Sequence, residues 1–146
     1  MLLEVTDHTP PRALTIGEIT VGDTVIQRVV FDAEKHNAFA CLARDRAPVH
    51  DDAKFAQQRG FEAPVIQGLA VVSRFSRLMG MYLPGEHAVL EKVEFKYHRP
   101  VYADRELLYA CTVLRILQPL RVVVLALSVS LDGFEHVTGQ SQCLIL

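Results

Sequence analysis

The rhythm of hydrophobic and polar positions divides this chain into a helical first half and a strand-rich second half. Ile19 to Val30 is rich in β-branched residues and predicts a strand with a turn at Gly22-Asp23. Asp32 is a good N-cap, with Glu34 in the first turn, for a helix of about ten residues that ends before Asp45. Asp51 or Asp52 then caps a short helix over Ala53–Gln58, stopped by Gly60. From Gly68 to Gly80 the side chains of Leu69, Val71, Val72, Phe75, Leu78 and Met79 cover most of the helix circumference. Only Arg74 and Arg77 are charged there, and they share one edge. A helix apolar nearly all round is expected to be buried on most sides. Val89–Tyr97, Glu106–Leu117, Arg121–Leu131 and Phe134–Ile145 read as four strands, with a hairpin turn at Asp132-Gly133. Early helices followed by antiparallel strands mean α+β, and one long helix wrapped by a curved antiparallel sheet fits best. Residues 1–14, with His8-Thr9-Pro10-Pro11, read as a loose arm on a single domain spanning 1–146.

Composition narrows the function classes. Half of the 146 residues are hydrophobic, enough for a real core in one domain. The net charge of -2, with 22% charged residues, argues against a disordered tail and against an electrostatic nucleic-acid binder. Cys41, Cys111 and Cys143 are scattered and form no C-x-x-C pair, so reduced thiols in a cytoplasmic protein are expected. The N-terminus lacks the basic and apolar regions of a signal peptide, and no apolar run is long enough to cross a bilayer.

The candidate chemistry lies between the two helices. Asp45-Arg46-Ala47-Pro48-Val49-His50 puts a carboxylate and an imidazole five residues apart around a proline. Ala63-Pro64-Val65-Ile66-Gln67-Gly68 leads into the apolar helix. Both prolines disfavour helix in the residue before them, so both stretches read as loops. A helix that begins with Gly68 offers bare backbone N–H groups and the positive end of a dipole. An acid–base pair facing that end can act on a carbonyl that becomes an oxyanion. Taken alone, Asp45 and His50 could equally be a loop cap and a surface histidine, and Gly68 a packing residue. His50 and Asp52 also have an H-x-D spacing to which His98 or His136 could add a metal ligand, but nothing else in the chain supports a metal. Lys96, His98 and Arg99 form a basic cluster beside Tyr97 that could meet the phosphates of a carrier, or be a solvated strand end.

The stretch from Phe31 to Leu107 resembles the MaoC-like, (R)-specific enoyl-CoA hydratase branch of the hotdog-fold proteins. The frame is carried by Phe39-Ala40, Leu42, Asp45, Pro48, His50 and Asp52. It continues through Phe61, Pro64-Val65-Ile66 and Gly68, then Ser76 in the helix, and Phe95, Pro100-Val101 and Asp104. The resemblance implies that Asp45 and His50 are a catalytic dyad and that the Gly68 N–H binds a thioester oxygen. It also matches Ser76 to a family serine near the site. The implied reaction is addition of water to a trans-2-enoyl thioester of coenzyme A or a carrier protein, or its reversal, with no cofactor and no metal. Three positions depart from the family pattern. Ala47 replaces an asparagine, Gln67 a histidine and Ala103 a glycine. The first two alter the polar lining near the dyad, which keeps open a thioesterase or an amine addition at the same site. A non-catalytic acyl-binding partner subunit is a third alternative, although such a subunit should lose the dyad. The exposed sheet edge of such a unit implies a homodimer with active sites near its interface.

Overall fold

A computed structural model describes residues 1–146. Its order is β1 (Leu2–Glu4), β2 (Thr24–Val30), α1 (Ala33–Ala43), α2 (Pro48–Asp51), α3 (Ala53–Gln58) and α4 (Gly68–Met81). Four long strands follow: β3 (Ala88–Tyr97), β4 (Glu106–Leu117), β5 (Val122–Leu131) and β6 (Phe134–Ile145). All six strands form one sheet in the order β1-β2-β4-β5-β6-β3. Every pairing is antiparallel except that of β1 with β2.

Most elements begin where their signals stand. The Asp32 side chain accepts from the Lys35 N–H at 2.9 Å and caps α1, and Asp52 accepts from the Phe55 N–H at 3.0 Å and caps α3. Asp132 and Gly133 take positive φ of 51° and 80°, as the tight hairpin between β5 and β6 requires. Along β4, and along β5 beyond four consecutive buried residues at Val122–Leu125, alternate side chains are buried, the period-2 pattern of strands with one face on a core.

Four expectations are corrected. The strand expected from Ile19 is β2 and starts at Thr24, because Gly22 at φ 90° turns the chain first. Residues 1–14 are not a loose arm. Leu2–Glu4 pair in parallel with Thr24–Ile26, and Val5 and Leu14 are buried in the core. The Asp45–His50 stretch is not all loop, since Pro48–Asp51 close one helical turn. Proline is compatible with a first helical position because its missing N–H would find no partner there anyway. Finally, α4 is buried on most sides as expected, but Leu69 is not part of its buried surface. Ala70, Val71, Val72, Phe75, Leu78 and Met79 face the core, while Leu69 is 68% exposed and Ser73, Ser76 and Gly80 share its open face.

The inner face of α4 locks onto the sheet through aromatic rings. Phe75 stacks on Phe95 of β3 with centroids 5.6 Å apart and meets Tyr109 of β4 edge-on at 5.4 Å. The Tyr109 hydroxyl donates to the Val71 carbonyl at 2.9 Å. Burial holds this phenol well above its ordinary pKa, so it stays a donor. Fully burying a side chain such as Phe75 contributes about 1.5–3 kcal/mol. These contacts set the height at which the N-terminus of α4 meets the end of β3. No helix is long and apolar enough to cross a membrane.

Candidate active site

Backbone geometry delivers Asp45. Arg44 takes a left-handed conformation with φ 53°, and the Asp45 N–H donates back to the Ala40 carbonyl at 3.1 Å. This closure ends α1 and reverses the chain. The Asp45 Oδ1 then accepts from the Ala47 N–H at 3.1 Å, a local turn that fixes the carboxylate. The stretch before α4 is tied beside it. The Val65 N–H donates to the Val49 carbonyl at 3.0 Å and the Ile66 N–H to the Val101 carbonyl at 2.9 Å. Gln67 is 2% exposed, and its Nε2 donates to the Asp45 carbonyl at 3.4 Å. Its Oε1 has no partner.

His50 lies where these two stretches meet. Its Nδ1 is 2.6 Å from the Val65 carbonyl oxygen. A carbonyl can only accept, so Nδ1 carries a hydrogen and neutral His50 presents a bare lone pair at Nε2. That Nε2 faces the Asp45 Oδ2 at 3.7 Å. The separation exceeds a hydrogen bond, and a carboxylate is itself acceptor-only. Two acceptors at this spacing suit one water that donates a hydrogen to each.

Gly68 opens α4, so its N–H has no carbonyl one turn earlier within the helix and points out with the positive end of the dipole. A cavity of 330 Å³ holds His50 and Gly68 together and is otherwise walled by Val65, Val71, Tyr97 and Val101, among others. Tyr97 lies so close that a Cβ on Gly68 would come within 2.8 Å of its Cε1. The absence of a side chain at Gly68 is thus a matter of room at this mouth.

The remaining candidates are placed differently. Ala47 is half-buried, and the hydrogen bonds it makes here are those of its backbone. Ser76 is exposed on the open face of α4 and lines no major cavity, so the structure does not bring it to Asp45 and His50. His98 and Arg99 reach the cavity mouth, whereas Lys96 does not line it. His136 turns its Nδ1 to the Pro100 carbonyl at 3.0 Å, and no group of three or more His, Cys, Asp or Glu is gathered in the fold. A larger cavity of 570 Å³ between α1, β2 and α4 contains neither Asp45, His50 nor Gly68. The sequence reading missed the Val65 carbonyl, the partner that sets the His50 tautomer. Any residue supplies a carbonyl, so no side-chain signal could have marked it.

Known proteins are similar to this chain in sequence and in fold. The chain is 33% identical over 90 residues to the mitochondrial 3-hydroxyacyl-[acyl-carrier-protein] dehydratase of Arabidopsis thaliana, covering 62% of this chain and 53% of that protein. It is 36% identical over 76 residues to the (R)-specific enoyl-CoA hydratase of Aeromonas caviae, covering 52% and 57%. The matches thus span about half the length of these curated relatives. The solved structure of an (R)-hydratase from A. caviae involved in PHA biosynthesis superposes with a TM-score of 0.83 at 27% identity, over 88% of this chain and 98% of that one. A MaoC-like dehydratase from Rhodospirillum rubrum superposes with a TM-score of 0.77 at 23% identity, over 92% and 97%. The architecture is therefore the hotdog fold. The family model for a MaoC-like domain matches residues 6–119, which include Asp45, His50, Gly68 and all of α4; the chain belongs to the MaoC-like domain family.

Proposed function

We propose that this chain interconverts trans-2-enoyl and 3-hydroxyacyl thioesters by adding or removing water. The observation that carries the reading is the facing of two acceptors, Asp45 Oδ2 and His50 Nε2, across 3.7 Å, with His50 sharing a cavity with Gly68 that Asp45 itself does not line. A water pinned by both of its hydrogens keeps its lone pairs free to attack. With the thioester oxygen on the Gly68 N–H, attack at C3 moves electrons onto that oxygen as an enolate, where the donor and the helix dipole stabilise them. One water proton passes to the Asp45/His50 pair, and one proton passes from the pair to C2. The hydroxyl stays on C3 and the pair returns to its starting state. Elimination is the same path reversed. The relatives named as an enoyl-CoA hydratase and as a 3-hydroxyacyl-[acyl-carrier-protein] dehydratase support this chemistry.

The assembly that goes with it is a homodimer. β3 is an exposed edge strand with Val89, Leu90 and Val93 at 45%, 47% and 38% exposure. An open edge strand of ten residues is a surface that proteins normally cover. Pairing with β3 of a second copy would extend the sheet across the dimer.

The test is mass spectrometry after incubation with a panel of enoyl and 3-hydroxyacyl thioesters. Gain or loss of one water is the expected outcome. A free acid, or addition of an amine in place of water, would overturn the reading.

A further inference from the structure

Beyond the cavity that holds His50 and Gly68, the surface continues onto a second one. Arg99 and Pro100 line both the inner cavity and an outer one of 380 Å³ that includes Arg105, Phe134 and His136. A further cavity, lined by His50, Tyr102 and Arg105, joins them on the other border. Adjoining cavities with shared lining residues thus form a track from His50 to Phe134.

Its outer end has an uncommon make-up. Phe134 is 58% exposed, a large apolar ring left in solvent. The Arg99 guanidinium lies over this ring at 5.0 Å from its centroid. Arg105 is exposed nearby. Arg28, Arg46, Arg74 and Arg77 form ion pairs, whereas Arg99 and Arg105, like Arg12, Arg44, Arg59, Arg115 and Arg121, form none. Glu106, beside Arg105 in sequence, is engaged by Arg28 at 3.7 Å instead. The position of Phe134 is fixed by the tight turn, since it pairs with Leu131 across Asp132 and Gly133. Two free guanidinium forks suit phosphate oxygens, and an exposed ring capped by arginine suits a stacked base. Glu62 and Asp132 also line this outer cavity. Carboxylates there weaken a bare anion site but accept hydrogen bonds from ribose hydroxyls and an exocyclic amine. Phosphate, sugar and base together describe a nucleotide.

We propose that Arg99, Arg105 and Phe134 form the seat of the nucleotide end of a coenzyme A thioester, whose pantetheine arm follows the track to His50. This inference rests on the thioester reading and selects between its two carriers. A carrier protein offers a phosphopantetheine arm without a nucleotide and has no use for a stacking ring there.

Two measurements test it. In titration calorimetry, adenosine 3′,5′-bisphosphate should bind the native protein, and Phe134→Ala and Arg105→Ala should each weaken binding about tenfold. This arm needs no turnover, so it is independent of the reaction assigned above. In kinetics, the same enoyl group is supplied on coenzyme A, on N-acetylcysteamine and on a carrier protein. The two variants should raise KM for the coenzyme A ester alone, with kcat held. No detectable binding of the bisphosphate, equal KM changes on all three esters, or a native preference for the carrier-protein ester would overturn the proposal. Bisphosphate binding with no turnover of any ester would retain the seat and reject the reaction.

Discussion

Asp45 and His50 are held by backbone more than by each other. The imidazole hangs from the Val65 carbonyl and the carboxylate from the Ala47 N–H. Their side chains are 40% and 17% exposed respectively, so neither is a core residue. Asp45→Asn and His50→Ala should therefore each fold normally and lose about two orders of magnitude in hydration rate. Rates near native in both, with unchanged circular dichroism, would remove the pair from the mechanism. Gly68 makes a second test at this scale. In Gly68→Ala the added methyl meets the Tyr97 ring edge at 2.8 Å, and Tyr97 is 47% exposed, so ring or helix start must shift. Misplacing a donor by about 1 Å can cost roughly a hundredfold. The expected outcome is a folded protein with a loss of that order, largely recovered in Gly68→Ala/Tyr97→Ala, as read by kcat. No recovery would mean that the methyl itself, not the crowding, disables the site.

At the scale of elements, β3 depends on a missing side chain in β6. Phe95 pairs directly with Gly139 and turns its ring onto Phe75 of α4. A Cβ at Gly139 would lie 2.5 Å from the Glu94 carbonyl oxygen and 2.6 Å from Phe95 Cδ1. A backbone atom cannot swing aside as a side chain can. Gly139→Ala should then cost about 1–3 kcal/mol and lower the midpoint of urea unfolding. A midpoint equal to native would show that β3 can give way without penalty. The same strand ends at Tyr97, so a shift here reaches the mouth of the Gly68 cavity through one continuous element.

For the whole molecule, the open edge and the buried thiols each make a prediction. If β3 joins two copies, light scattering at micromolar concentration gives a dimer, and Val93→Lys gives a monomer by setting like charges across the seam. A native monomer would reject that assembly. The thiols govern behaviour in alkali. Burial pushes the Cys143 thiol up to about 11, with the nearby Glu91 charge acting the same way and the Ser141 hydroxyl against both. Burial raises Cys111 too, as does the nearby Cys143. An acid whose pKa is raised by folding holds its proton more tightly in the native state. Its contribution is complete below the ordinary thiol value of 9.0 and is lost as pH rises towards 11. Melting temperature should therefore be level below that window and fall across it, with a shallower fall in Cys143→Ala. An unchanged slope in that variant would clear the thiol of the effect.

What the amino-acid sequence determined by itself was mainly local. The Asp32 cap, an aspartate cap at 51 or 52 that proved to be Asp52, and the Asp132-Gly133 turn are short-range signals, because each acts within a turn of its own chain. Asp45, His50 and Gly68 were legible as a spaced pattern along a family frame. Tertiary structure decided the rest, since it depends on partners far apart in the chain. Leu2–Glu4 became a strand only because Thr24–Ile26 offered an edge. The His50 tautomer was set by a carbonyl fifteen residues away, which carries no side-chain signature. Leu69 and Ser76 came to lie on the open face of α4 because the sheet covers only the other. The free arginines beside Phe134 came from strands and loops that only the closed sheet brings to one end. A side chain's identity limits what it can do, but which atoms it meets is fixed by packing across the whole fold.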